Sequence, residues 1–178
     1  MKVNVRRNGF TVLEAMVAIF VVVIASTGVF GLIVSSLSLT ESIENEAIAW
    51  YLAQEGMELV RNFRDTNMLD TPNSIPWYTN IEGCEVSDNC GADYNDPALI
   101  SGLNDTPTPL RYDAATGYTY DSGTASLFER RIAAYRCTVG CSPPGPESRI
   151  HLMISVTWQE RGVDREVQLL GEVYNWED

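Results

Sequence analysis

Arg6-Arg7-Asn8-Gly9-Phe10-Thr11-Val12-Leu13-Glu14 opens an apolar run that continues to Leu39. From Phe10 to Leu39 there are 30 residues, and Glu14 is the only ionisable side chain among them. As a helix the run is about 45 Å long, against about 30 Å of bilayer hydrocarbon. It is long enough to span a membrane. Lys2, Arg6 and Arg7 precede it, whereas Glu41, Glu44 and Glu46 follow it. That asymmetry predicts a cytoplasmic leader and a chain that crosses outward. A cleavable secretory signal would have an apolar region of about 7–15 residues ending in an A-x-A-like site. This run is about twice that length and ends in no such site. A plain anchor accounts for length and orientation but leaves Glu14 unexplained. A carboxylate near the start of a membrane helix costs about a few kcal/mol, less if it reaches the interface. Its place in the first turn, where the helix dipole favours an anion, offsets part of that.

Gly9-Phe10-Thr11-Val12-Leu13-Glu14 resembles the processing site of type IV prepilins and type II secretion pseudopilins. The resemblance is firm over residues 6 to about 65 and looser beyond. It implies cleavage between Gly9 and Phe10 by a prepilin peptidase, and N-methylation of the new terminal Phe10. It also implies that Glu14, fifth from Phe10, forms an assembly salt bridge with the Phe10 amine of a neighbouring subunit. Cleavage would create that amine. The partners implied are the peptidase, other pilin or pseudopilin subunits, an inner-membrane assembly platform and membrane lipid.

The formal charge is −12, and loss of residues 1–9 with Lys2, Arg6 and Arg7 leaves −15. No lysine follows Lys2. Sequence-independent affinity for nucleic acid comes from Lys and Arg neutralising phosphates, so so acidic a body is not expected to bind nucleic acid in general. Arg61, Arg64, Arg130, Arg131 and Arg136 are expected to pair with neighbouring Asp and Glu. Repulsion between acidic copies favours a body exposed to solvent and salt.

From Glu41 to Asp65 there is no Pro and one Gly, and the pattern becomes amphipathic. At 100° per residue, Ile48, Leu52, Leu59 and Phe63 share a side with Ala49, Ala53, Gly56 and Val60. Glu44, Gln54, Glu55, Glu58, Arg61, Asn62 and Asp65 fall opposite. So broad an apolar stripe predicts a helical spine packed on a sheet or on other helices. Leu52 to Asn62 is also similar to the post-membrane helix of many minor pilin-like proteins. Gly28 and Gly31 either permit close helix approach or loosen the helix, each weakening it by about 1 kcal/mol relative to Ala.

Residues 66–109 read as a loop region, with five of the eight prolines. A structureless loop of that length is uncommon in a compact domain, so short helical pieces such as Pro97 to Leu103 are expected. From Leu110 the chain turns to strands: Leu110–Asp113, Tyr118–Tyr120, Leu127–Arg136, Arg149–Gln159 and Arg165–Tyr174. Ile150, Leu152, Ile154, Val156 and Trp158 alternate with polar or smaller residues, the pattern of a strand with one face on the core. Short connections predict an antiparallel meander. The fold class is α+β: a pilin-like roll, a long N-terminal helix packed on an antiparallel sheet of about 4–5 strands. The expected divisions are a leader at 1–9, a transmembrane and assembly helix at 10–39, and a globular domain at 40–178. Within the last, 40–65 is helix, 66–109 loop and 110–178 sheet.

Four cysteines, Cys84, Cys90, Cys137 and Cys141, lie beyond the membrane run, where the orientation places them in an oxidising compartment. Two disulfides, Cys84–Cys90 and Cys137–Cys141, are the favoured pairing because each closes a loop within reach; cross-linked pairings remain open. A four-thiolate zinc site is the rival, although the C-x5-C spacing falls outside the usual range. No metal and no cofactor is expected. Asp93-Tyr94-Asn95-Asp96 offers oxygens but lacks the length, Gly and Glu of an EF-hand loop, and reads as turn chemistry. His151, the one histidine, falls on the polar face of a strand. No G-x-S-x-G, Walker lysine or H-E-x-x-H occurs, and no enzyme is expected. The C-terminal Tyr174-Asn175-Trp176 and the bulky loop region resemble minor pilin-like proteins. The reading is a structural subunit of a pilus-like filament. A secretion pseudopilin and a membrane-tethered binding domain that never assembles are the two alternatives.

Overall fold

A computed structural model describes residues 9, 11–70, 75–81, 84, 90–100, 108–136 and 149–175. The element order is one helix, α1 (Val12–Asp70), then six strands: β1 (Arg111–Asp113), β2 (Gly117–Thr119), β3 (Thr124–Ala125), β4 (Glu129–Arg136), β5 (Arg149–Glu160) and β6 (Val163–Tyr174). The chain divides into two compact units, Met1–Glu44 and Asn45–Asp178.

In the first unit α1 starts at Val12 and runs without interruption through Gly28 and Gly31. Nothing lies within 4 Å of where a Cβ would sit on either glycine, so each marks a smooth place on the helix wall. Large apolar side chains are exposed all round it, from Val12 and Leu13 to Phe30, Leu32 and Leu39. Ser26, Thr27 and Thr40 turn their hydroxyls back onto carbonyls of the helix itself. The Ser26 hydroxyl donates to the Val22 carbonyl at 2.7 Å, and that of Thr27 to Ile24 at 2.8 Å. A helix that pairs its backbone internally, turns hydroxyls back onto its own carbonyls and hides none of its apolar surface suits a hydrocarbon or helical surround. It is long and apolar enough to cross a membrane.

In the second unit the predicted stripe is the core face of the helix. Ala49, Leu52, Ala53, Met57, Val60 and Phe63 are buried in one cluster with Ile132, Ala134, Ile150, Leu152, Ile154, Val156, Trp158, Val167 and Val173. Gly56 lies close against the sheet: a Cβ there would sit 3.1 Å from Ile154 and 3.2 Å from the Arg130 stem. The helix continues to Asp70, past the boundary expected at Asp65. Its last turns have something to hold. Buried Asn67 donates from its amide nitrogen to the carbonyls of Trp77 (3.1 Å) and Thr79 (2.5 Å), docking residues 75–81 on the helix end.

The long strands form one antiparallel sheet in the order β4-β5-β6. Ile150, Leu152, Ile154, Val156 and Trp158 are all buried, as their alternation requires. Glu160 pairs with Val163, so a two-residue turn joins β5 to β6. Arg161 (φ 52°) and Gly162 (φ 79°) both take the left-handed conformation, which matches the turn to the twist of the strands.

The strands do not make one meander. A second sheet, in the order β2-β1-β3, stands apart from the first. The reason lies at Gly123. With φ 110° it turns the chain back so that Thr124–Ala125 pairs with β1 on the side away from β2. A Cβ at Gly123 would strike the Tyr112 carbonyl at 2.5 Å, so only glycine fits. β4 then begins beside Leu110, whose amide donates to the Phe128 carbonyl and whose carbonyl accepts from Ser126, both at 2.8 Å. Four rings link the two sheets: Tyr112 to Tyr118 (5.1 Å between centroids), Tyr118 to Phe128 (6.0 Å) and Phe128 to Trp158 (6.1 Å).

The loop region is partly pinned. Gly91 and Ile100 exchange backbone hydrogen bonds at 3.1 and 2.9 Å, and the Leu99 amide donates to the Asn80 carbonyl at 3.0 Å. The helical piece expected from Pro97 is not present over 97–100, where Ile100 is committed to this bridge. Residues 101–103 lie outside the described residues.

Candidate functional site

The described residues of the N-terminal stretch, Gly9 and Thr11 to Glu14, lie at the start of α1. Gly9 is exposed, with nothing within 4 Å of a Cβ position. Thr11 caps the helix: its hydroxyl accepts the Glu14 amide at 3.3 Å, and its carbonyl accepts the Ala15 amide at 3.1 Å. Thr-x-x-Glu is the spacing of a capping box. Glu14 is therefore fixed in the first turn, exposed, at the positive end of the helix dipole. No cation lies against it among the described residues. Lys2, Arg6, Arg7 and Phe10 lie outside them.

A second constellation was not expected. Among the described residues Arg130 has the largest fully buried side chain. Register explains it, since Arg130 pairs with Val156 on the face that holds Ile132 and Ala134. Its guanidinium ties three parts of the second unit together. Nη1 donates to the Leu52 carbonyl of α1 at 3.3 Å and meets Glu55 at 3.0 Å. Nη2 donates to the Ala92 carbonyl at 2.7 Å and stands 3.8 Å from Asp93. The guanidinium also lies over the Tyr120 ring, whose hydroxyl donates to the Arg130 carbonyl at 2.7 Å. Asp93 in turn accepts the Tyr120 amide at 2.7 Å, and the Asp93 amide donates to Asp96 at 2.6 Å. The acidic turn thus faces a fixed cation, and its oxygens serve Arg130 and backbone amides. The sequence Glu129-Arg130-Arg131 carried one usable signal, the alternation with Ile132 and Ala134.

Burial pushes the Asp93 carboxyl above its ordinary value near 3.8; the Tyr120 amide and Arg130 oppose this, and Asp96 and Asp121 add to it. A raised carboxyl binds its proton more tightly in the folded chain than in the unfolded one. Its contribution is therefore fully present below pH 3.8 and is lost as pH rises through the folded value. The wild type should gain stability relative to Asp93→Asn as pH falls from 7 towards 4, read as the difference in urea midpoint between the two. A difference that is flat or of opposite slope would show that Arg130 dominates over burial.

The other arginines pair as expected: Arg61 with Glu58 (2.6 Å), Arg64 with Asp65 (2.7 Å) and Arg131 with Glu129 (3.9 Å). These exposed pairs contribute little. The Arg136 side chain lies outside the described set. His151 meets Glu172 at 3.1 Å, beside Arg149 at 3.3 Å from the same carboxylate. Cys84 and Cys90 are joined in a disulfide. Cys137 and Cys141 lie outside the described residues. Among the described residues no group of three or more His, Cys, Asp or Glu could hold a metal ion.

Residues 4–30 match the family described as the prokaryotic N-terminal methylation motif. The chain thus carries a prepilin-type motif over those residues, which supports a type IV pilin-like or pseudopilin-like protein. Proteins with this motif are structural rather than enzymatic, and the motif implies processing by a peptidase and assembly with other pilin subunits. Together with the apolar helix it fits a protein anchored in the inner membrane. No curated protein and no solved structure matches the chain.

Proposed function

We propose that this chain is a minor structural subunit of a type IV pilus-like filament, without catalytic activity. The observation that carries the reading is a helix whose first half, from Val12 to Leu39, exposes its large apolar side chains and carries in its first turn one exposed carboxylate, Glu14, with no cation against it among the described residues. The leader stays in the cytoplasm and the body lies outside. A prepilin peptidase cuts between Gly9 and Phe10, and Phe10 is methylated on its new amine. An inner-membrane platform then draws the helix from lipid into a bundle, where Glu14 meets the Phe10 amine of a neighbour. The free energy gained is that of hiding the helix among like helices and of neutralising a carboxylate at low dielectric.

The test is intact mass with N-terminal sequencing of the membrane-extracted chain, with and without the peptidase. The expected product begins at methylated Phe10 only when the peptidase is present. A chain that keeps residues 1–9 under both conditions would reduce the helix to an anchor and leave a tethered binding domain.

A further inference from the structure

The two edges of the β4-β5-β6 sheet are finished differently. At β4, the Ala134 amide donates to the Cys84 carbonyl at 2.6 Å and the Ile132 amide to the Cys90 carbonyl at 2.8 Å. At β6, no backbone pairs with the side away from β5 among the described residues. That side is a usable template. Its register with β5 runs without a bulge from the Glu160–Val163 pair to the Arg149–Tyr174 pair. β6 contains no proline and no lysine, the residues that commonly guard a sheet edge. Behind it, Met57 of the helix fills the place that a Cβ on Gly171 would take, which holds the strand against the body. Apolar surface is left open at its middle on both faces. Leu169 is partly buried at the margin of the core. Leu170 is 71% exposed on the outer face, where the register sets it beside Met153 and, beyond that, Ala133.

Charge decides what such an edge accepts. Asp164, Glu166 and Glu172 share the outer face with Leu170, while Arg165 alternates to the other face and meets Glu160. Glu172 is already engaged by Arg149 and His151. Asp164 and Glu166 accept from the side-chain amides of Gln159 and Gln168, and no cation lies against either among the described residues. A second copy of the chain matches this edge poorly. Identical strands paired antiparallel about a two-fold axis set residues of the same face opposite one another. The two registers that overlap most of β6 then put Glu172 opposite Asp164 or Glu166 of the other copy, and like charges directly opposite are destabilising. We propose that the β6 edge binds an extended basic segment of another protein by strand addition, with an apolar side chain opposite Leu170 and Lys or Arg opposite Glu166 and Asp164. Antiparallel addition gives that segment the order apolar-x-x-x-basic-x-basic. The inference is independent of how the helix is used.

The test uses the full chain in uncharged detergent micelles and the labelled probe peptide Thr-Val-Leu-Val-Thr-Val-Lys-Thr-Lys. Binding is read by fluorescence anisotropy, and residue-resolved amide hydrogen exchange is compared with and without the probe. The β6 amides directed away from β5 should exchange about tenfold more slowly when the probe is bound, with β4 unchanged. A probe with Glu in both Lys positions should bind about tenfold more weakly, and Asp164→Lys/Glu166→Lys should reverse that preference. Equal binding of a probe N-methylated on the amides that face β6 would overturn the proposal, because such a probe cannot complete the ladder. Unprotected β6 amides at saturating probe would overturn it as well. So would β6 protection that rises with chain concentration in the absence of probe, since a second copy would then hold the edge. Should the variant not fold, the three probes on the wild type decide alone.

Discussion

Arg130→Met lowers the stability of the second unit by about 3–5 kcal/mol, the loss expected when one partner of a buried ionic cluster is removed. Methionine fills much of the space of the arginine stem, so the loss is electrostatic more than steric. The Leu52 and Ala92 carbonyls lose their donors, and Asp93 loses its cation inside the fold. Glu55, at the rim, can turn to water and matters less. The pH dependence should steepen too, because Arg130 is one of the influences holding the Asp93 carboxyl down. Urea titration of the variant at pH 7 and pH 5 measures both effects. Adding Asp93→Asn should recover part of the loss, since the orphaned charge goes with it. A loss below about 1 kcal/mol would mean that the cluster breaks even against an apolar core, as buried ion pairs elsewhere can.

Glu14→Ala should leave insertion and the folded body unchanged and remove the chain from assembled filaments. Insertion depends on the apolar run, which the substitution makes more apolar. The body depends on residues from Asn45 onward, which form their own compact unit. The exposed carboxylate in the first turn is lost, and on the proposed reading it is what receives a neighbour's amine. Glu14→Gln keeps the capping spacing but not the charge, and should fail in the same way. Sheared-filament fractions probed for this chain give the measurement, with membrane fractions as the control. Undiminished incorporation of both variants would remove Glu14 from the mechanism.

Much of this was written in periodicity. The stripe Ile48 to Phe63 and the alternation Ile150 to Trp158 each have one dominant physical cause, burial of one face, and both appear where the spacing puts them. The place of the Glu14 carboxylate in the first turn was readable as well, because a single charge in a long apolar run has few uses. The split into two sheets was not readable. It depends on Gly123 taking φ 110° and sending two residues back to β1, and a two-residue strand has no period. Arg130 was hidden for another reason. Its pairing with acidic groups was expected, but its burial was not, because only strand register shows which of two adjacent arginines turns inward. The helix end was missed because Asn67 reads as a breaker until the carbonyls of Trp77 and Thr79 are placed beside it.

The four linked rings give the protein an optical reporter. Tyr112 is half exposed on the small sheet, whereas Trp158 is buried in the large one, with Tyr118 and Phe128 between them. A neighbour that tilts Tyr112 shifts Phe128, and with it the surroundings of the Trp158 indole. Emission from Trp158, one of four tryptophans in the chain, is therefore expected to respond to events on a surface it does not reach.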